Sequence, residues 1–152
     1  MKVRPLTVEV QKYHMHRLWP QFAASTNRGN HAWWTGTLQP TAMSDTYTVE
    51  FAYTVPKRPE IRVLSPELKI RSDSSRLPHT FPGDILCVHT AWEWRAHTII
   101  AQTIVPWTCA WLYFYEIWFR TGYWLGEGTH PDLPEHKVPD DSESQETPAW
   151  LR

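Results

Sequence analysis

With 152 residues and a formal net charge of -1, the chain has the size of a single domain that can bury one sizeable core. It contains no uninterrupted run of about 18 apolar residues, and its N-terminal segment, MKVRPLTVEV, lacks the apolar stretch of a secretion signal. Cys87 and Cys109 are too few for a disulfide scaffold, and we interpret both as free thiols. We therefore expect a cytoplasmic protein that neither spans a membrane nor is secreted.

Charge is distributed unevenly along the chain. Residues 127–152 contain seven acidic residues against Lys137 and Arg152, together with several prolines and serines, and we predict an acidic flexible tail there. Residues 1–126 are mildly basic, but no run concentrates Lys and Arg as nucleic-acid-binding proteins usually do. We accordingly predict one folded domain over residues 1–126 and no nucleic-acid partner.

The first predicted element is an amphipathic helix from Thr7 to Trp19. Thr7 can cap its start, and Pro20 is expected to end it. Apolar side chains that recur on the helical i, i+3, i+4, i+7 spacing define the face that should be buried. They are Met15, Leu18, Trp19 and Phe22.

Three strand-like segments follow a loop at Asn27–Asn30. His31–Leu38 is rich in Trp and Thr, whereas Thr46–Tyr53 and Glu60–Leu64 alternate apolar with polar residues. Short polar or Pro-containing turns separate the segments. This arrangement predicts an antiparallel meander.

The second half of the chain changes character. Ser65–Leu86 has little periodicity and reads as a long ordered loop, the kind of segment that often carries function. From His97 onward the pattern becomes helical, with Pro106 as the expected first residue of an almost wholly apolar helix that runs to Arg120 and stops at Gly122. Helix, meander, loop and helices in this order predict an α+β layered fold.

Cys87 lies at the end of that loop, in the window LPHTFPGDILCVHTAWEW. His79 stands eight residues before it and His89 two residues after it. A nucleophilic cysteine must be partly exposed and have its thiol pKa lowered by neighbours such as an imidazolium or a helix N-terminus, and these histidines meet that requirement loosely.

Three other interpretations of these residues remain open at this point. Cys87 can be a small buried hydrophobic residue, which is the commonest fate of a cysteine. His79, Cys87, His89 and His97 can be enumerated as zinc ligands, although their spacing matches no paired zinc motif. Cys109 is a rival nucleophile, because it follows Pro106 closely and a helix N-terminus can lower a thiol pKa, but its aromatic neighbours favour burial.

The order of elements and several residues resemble the ubiquitin-conjugating enzyme (UBC) family, which has a first helix, a four-strand meander, a His-Pro-Asn loop, a reactive cysteine, a Trp and a crossing helix. The similarity covers about residues 6–120. The residues that carry it are Trp34, Gly36, Tyr47, Tyr53, Pro59, Pro66, Pro78, the run Gly83–Cys87, and Trp94. Residues 104–128, which contain Pro106-Trp107, Trp111-Leu112, Tyr115-Glu116, Thr121-Gly122 and Trp124, further resemble the stand-alone conjugating-enzyme-like proteins of short type II CBASS antiphage systems.

The resemblance implies roles for individual residues. Cys87 corresponds to the thioester cysteine, and Pro78 to the proline of the His-Pro-Asn triplet. Leu77 stands where the family has His, and His79 stands where it has Asn. His79 could therefore donate a hydrogen bond to an oxyanion, assist deprotonation or brace the loop. His89 is the other histidine that we consider for catalysis.

The resemblance also implies an activity. The thiolate of Cys87 would capture an activated C-terminal carboxyl group as a thioester and pass it to an amine, such as a lysine of an acceptor protein. The implied partner is a cGAS-like nucleotidyltransferase whose C-terminal tail is the group handled. No Gly-rich phosphate loop is present, so we expect no ATP-dependent activation by this chain, and no cofactor or metal. The alternative is a catalytically inactive UBC-like module that holds a partner's tail.

Overall fold

The computed structural model describes residues 3–27, 29–90 and 93–126. Helix α1 spans Val8–Leu18 and helix α2 spans Ile104–Thr121, with a short 3-10 helix at Ile100–Gln102 before α2. The strands are β1 (Ala23–Asn27), β2 (His31–Leu38), β3 (Tyr47–Thr54), β4 (Glu60–Ser65), β5 (Thr80–Phe81) and β6 (Ile85–Leu86). This is the predicted α+β, UBC-like architecture, with α2 and the 3-10 helix in the place of the expected C-terminal helices.

The four longer strands form one antiparallel sheet in the order β1-β2-β3-β4, and β5 and β6 form a separate hairpin. In β3 every second residue is fully buried, because successive side chains of a strand point to opposite faces. The buried residues are Tyr47, Val49, Phe51 and Tyr53. They belong to one hydrophobic core that includes Met15 of α1 and Leu112 of α2.

Helix α1 begins as the sequence predicts, and Met15 of its predicted apolar face is buried. The Thr7 hydroxyl accepts a hydrogen bond from the Val10 amide at 3.3 Å, which caps the helix. Leu18, predicted to be buried, is 47% exposed, whereas the polar Gln11 is 1% exposed. The amide of Gln11 donates to the Thr98 carbonyl (2.8 Å), and its oxygen accepts from the Ile100 amide (3.0 Å). Burial of Gln11 is therefore compensated by hydrogen bonds that join α1 to the 3-10 helix.

The sequence pattern did not predict strand β1. Because this strand ends at Asn27, the loop predicted at Asn27–Asn30 is shorter than expected. Its four first side chains, Ala23 to Thr26, are all exposed and small. Strand β1 thus shows no alternation of buried and exposed residues, and only its pairing with β2 defines it.

Helix α2 starts two residues earlier than predicted. Pro106 is its third residue rather than its first. A proline is tolerated there because the first four amide groups of a helix have no partner within the helix. Gly122 ends the helix in the left-handed conformation, as predicted, with φ of 82°.

Glu116 anchors the middle of α2 to the sheet. Its carboxylate accepts hydrogen bonds from the Ser44 hydroxyl (2.7 Å) and the Tyr47 hydroxyl (2.8 Å). Among the described residues, no helix combines the length and apolar character needed to cross a membrane. The predicted tail at residues 127–152 lies outside the described residues.

Candidate active site

The β5–β6 hairpin places Cys87 directly after β6. Within the predicted long loop, Thr80 pairs with Leu86 and Phe81 with Ile85. The turn between the strands contains Gly83 and Asp84, both with positive φ (83° and 58°), a conformation that Gly adopts freely and Asp more readily than most residues. The hairpin therefore holds the cysteine at the end of a strand instead of in irregular chain.

The main chain of His79 fixes the position of Cys87. The Cys87 amide donates to the His79 carbonyl at 2.9 Å. The same oxygen accepts a second hydrogen bond, from the indole Nε1 of Trp111 in α2, at 3.0 Å. One carbonyl group thus ties the cysteine to both the hairpin and the helix.

The side chain of His79 packs against aromatic rings. Its imidazole is stacked on the Trp124 ring, with centroids 4.8 Å apart and an interplanar angle of 28°. Trp124 in turn contacts Trp111 (5.4 Å) and Phe114 (5.8 Å). Of the roles considered for His79, these contacts fit that of bracing the loop.

The Cys87 thiol is half-buried, and two influences on it oppose each other. Burial is the larger influence and raises the pKa of the thiol. The positive charge of Arg58 and a hydrogen bond with the main chain of His89 lower this pKa, whereas the charge of Glu93 raises it. Since the net effect is upward, the resting thiol of Cys87 is mostly protonated at neutral pH.

Cys109 does not have the surroundings predicted for a rival nucleophile. It is the sixth residue of α2, beyond the first turn, because the helix begins at Ile104. The residue is 5% exposed, and desolvation raises the pKa of its thiol to about 12. Its position in the core makes Cys109 an inert thiol.

His89 is oriented by the main chain of the next residue, Thr90. Its Nδ1 lies 2.6 Å from the Thr90 carbonyl oxygen, which can only accept, so Nδ1 carries a proton, and in the neutral ring the lone pair is on Nε2. Glu93 orders the same segment by accepting hydrogen bonds from the amide and, at 2.7 Å, the hydroxyl of Thr90. The ring of His89 is therefore available as a proton acceptor through Nε2 alone.

A pocket of about 320 Å³ adjoins the cysteine. Both chain neighbours of Cys87, Leu86 and Val88, contribute to its lining. The other lining residues come from the β3–β4 turn and β4, from the hairpin and from the segment after Cys87. They are Lys57, Arg58, Pro59, Glu60, Ile61, Phe81, Ile85 and His89.

Arg58 and Trp111 are site residues that the sequence did not reveal. Arg58 lies with its guanidinium carbon 4.2 Å from the centre of the Phe81 ring, which holds the cation over the hairpin. Both residues are far from Cys87 along the chain, and although Trp111 is among the residues that carry the family resemblance, its contact with the site was not predicted.

The zinc interpretation has no geometric support. Within residues 3–27, 29–90 and 93–126, no group of three or more His, Cys, Asp or Glu side chains is arranged to hold a metal ion. Of its four candidate ligands, His79 is stacked on Trp124, and His89 bonds the Thr90 carbonyl through Nδ1.

The chain matches a known protein family. A family profile described as Type II CBASS E2 protein matches residues 11–131, which is most of the chain. The matched range contains most of α1, the four-stranded sheet, the Cys87 hairpin and the whole of α2. No curated protein sequence matches the chain.

Proposed function

Because the chain belongs to the type II CBASS E2 protein family, we propose that it forms a thioester between Cys87 and the C-terminus of a cGAS-like nucleotidyltransferase. In this proposal it then transfers the acyl group to an amine, and so regulates bacterial antiphage signalling. The reaction takes place in the cytoplasm, where such a partner would be found.

The observation that carries the proposal is the contrast between the two cysteines. Cys87 is half-buried at the end of a hairpin, with a pocket beside it and a cation, Arg58, that favours the thiolate. Cys109 is enclosed in the core, and its thiol pKa is raised to about 12. This contrast supports the assignment of the chemistry to Cys87.

In the proposed reaction the partner's terminal carboxyl group arrives already activated, as a thioester or an acyl adenylate. The Cys87 thiolate attacks the acyl carbon; a carbon–sulfur bond forms and the activating group leaves. An amine then attacks the same carbon, a carbon–nitrogen bond forms, and the Cys87 thiolate departs. The amine arrives as an ammonium: its first proton passes to a base, which we assign to Nε2 of His89, and the neutral amine attacks. The proton that nitrogen releases as the amide forms returns Cys87 to a thiol. His79 acts as a positioning residue through its carbonyl and stacked ring.

The proposal is tested by replacing each cysteine in the full chain. We expect wild type and Cys109→Ala to form an adduct with the activated partner that a thiol reductant releases, and Cys87→Ala to form none. Denaturing gels with and without reductant, and mass spectrometry of the adduct, provide the measurement. An adduct that persists in Cys87→Ala would refute the assignment.

One observation favours a second function, that of an inactive module that only holds the partner's tail. Burial raises the pKa of the Cys87 thiol, so the free protein contains little of the nucleophilic thiolate. If this second function is the correct one, the partner's tail binds wild type and Cys87→Ala equally well, and no adduct forms with either chain.

A further inference from the structure

The pocket beside Cys87 combines an apolar interior with a positively charged rim. Six of its lining residues are apolar: Pro59, Ile61, Phe81, Ile85, Leu86 and Val88. Lys57 and Arg58 provide two cations, and Glu60 provides one carboxylate. Such a lining suits a short peptide segment that has both apolar and acidic side chains.

The two cations of the rim are available to a ligand. Glu60 is engaged elsewhere, because its carboxylate forms an ion pair with Arg62 at 3.2 Å. In the described part of the chain, no carboxylate forms an ion pair with Lys57 or Arg58. Arg58 is nevertheless held in place, since its guanidinium lies over the Phe81 ring. A preorganised cation without a carboxylate partner favours an anionic group on whatever occupies the pocket.

The same pocket contains a proton acceptor. His89 lines it, and its Nδ1 is committed to the Thr90 carbonyl, so that Nε2 presents a lone pair. A group that brings a proton to be removed, such as an ammonium, suits this lone pair. The acyl group of a thioester brings none, because its carboxyl function has already been consumed in the bond to sulfur.

From these contacts we propose that the pocket is the acceptor site, and that it binds a segment in which the reactive lysine has an acidic residue close to it in sequence. Arg58 binds the carboxylate, the apolar lining holds the segment, and the lysine reaches the thioester at Cys87. Nε2 of His89 takes the first proton of the ammonium. This inference rests on the proposed function, since it names the substrate of the second step.

The charges of the pocket explain why the acidic neighbour is needed. Arg58 and Lys57 favour the neutral, nucleophilic form of an incoming lysine, but they also repel its ammonium during approach. A carboxylate on the same segment offsets that repulsion and fixes the register of the segment. The selectivity is therefore for a lysine with an acidic neighbour over an isolated lysine.

The experiment uses the full chain and two synthetic peptides with one lysine each. One peptide has Glu two residues after the lysine, and the other has Gln at that position. We first measure binding of each fluorescently labelled peptide to the unloaded protein by anisotropy. We then load Cys87 by exchange with a small-molecule thioester of the partner's C-terminal peptide, and follow release of the acyl group onto each lysine.

We expect the Glu peptide to bind more tightly and react faster than the Gln peptide by about fivefold at low salt, an advantage that high salt removes. Arg58→Glu should abolish this preference. The matched control, Arg17→Glu, changes the charge by the same amount at an exposed position of α1, outside the pocket lining, and should keep it.

Failure of this inference and failure of the proposed function give different results. If Cys87 loads but both peptides bind and react equally, the acceptor site is refuted and the proposed function stands. If Cys87 never loads, the proposed function fails, and the binding measurement still decides whether the pocket selects the Glu peptide. Binding that appears only when Asp140 and Asp141 are replaced by Asn would assign the pocket to the chain's own acidic segment, and would overturn the proposal.

Discussion

At Cys87 the reactivity of a single thiol is set by a balance between burial and charge. Burial raises the pKa of the thiol, and Arg58 acts in the opposite direction. A half-buried thiol of this kind reacts slowly with small alkylating reagents at neutral pH. An activated acyl group bound beside the thiol reacts faster, because it is held close to the sulfur. The residue is thus protected at rest without being inaccessible.

This balance predicts the pH dependence of Cys87 reactivity. The rate of alkylation by iodoacetamide should rise with pH to a midpoint above about 8.5, the value of an ordinary thiol, because only the thiolate reacts. Arg58→Ala should move the midpoint further up, since it removes the charge that favours the thiolate. Peptide mapping by mass spectrometry gives the rate at Cys87, and Arg17→Ala, at an exposed position of α1, serves as the control with an unchanged midpoint. A midpoint below 8.5 in the wild type would contradict this description of the thiol.

At the scale of elements, the site depends on the contact between α2 and the β5–β6 hairpin. Trp111 makes this contact through its hydrogen bond to the His79 carbonyl, the group that also binds the Cys87 amide. Trp34 of β2 offers a matched comparison. It is equally buried, but its indole N–H has no hydrogen-bond partner among the described residues.

The two tryptophans should therefore respond differently to replacement by Phe. Trp111→Phe removes a hydrogen bond and should lower the free energy of unfolding by about 1 kcal/mol more than Trp34→Phe, in which an unsatisfied donor is removed. Hydrogen exchange of the Cys87 amide should accelerate in Trp111→Phe and stay unchanged in Trp34→Phe. Equal exchange rates in both variants would show that Trp111 does not hold the hairpin.

At the scale of the whole molecule, one core joins the helices to the sheet. Its buried residues come from α1, β2, β3, β4 and α2, and Cys109 is among them. With a single core, the described part of the chain is expected to unfold as one cooperative unit.

Cys109 consequently reports on global unfolding. In a Cys87→Ala background, alkylation of Cys109 should require opening of the core, so its rate should increase with urea in parallel with the unfolding constant measured by tryptophan fluorescence. Leu112→Ala, which removes a fully buried side chain next to this region, should lower the free energy of unfolding by about 2–5 kcal/mol and accelerate the labelling accordingly. The exposed substitution Met43→Ala is the control. Labelling that is independent of urea would mean that α2 opens locally.

Local patterns in the sequence were sufficient for several parts of the structure. The Thr7 cap, the alternation in β3 and the glycine stop at Gly122 each depend on residues a few positions apart, which is the range over which helix and strand periodicity acts. The α+β order followed from these elements. The interpretation of Cys87 as the thioester cysteine came from the resemblance to a family and remains a prediction.

Contacts between distant residues decided the rest. Strand β1 is defined by its pairing with β2, and Gln11 is buried because main-chain groups near Ile100 form hydrogen bonds with its side chain. Arg58 is held at the site by its contact with the ring of Phe81. Such contacts produce no periodic pattern in the sequence, because the free energy of a hydrogen bond or of a cation–π contact depends on the distance between the groups in space and not on their separation along the chain. For this reason the sequence by itself determined the elements and pointed to the cysteine, whereas the tertiary structure alone determined the pocket, the charge beside the thiol and the carbonyl that holds it.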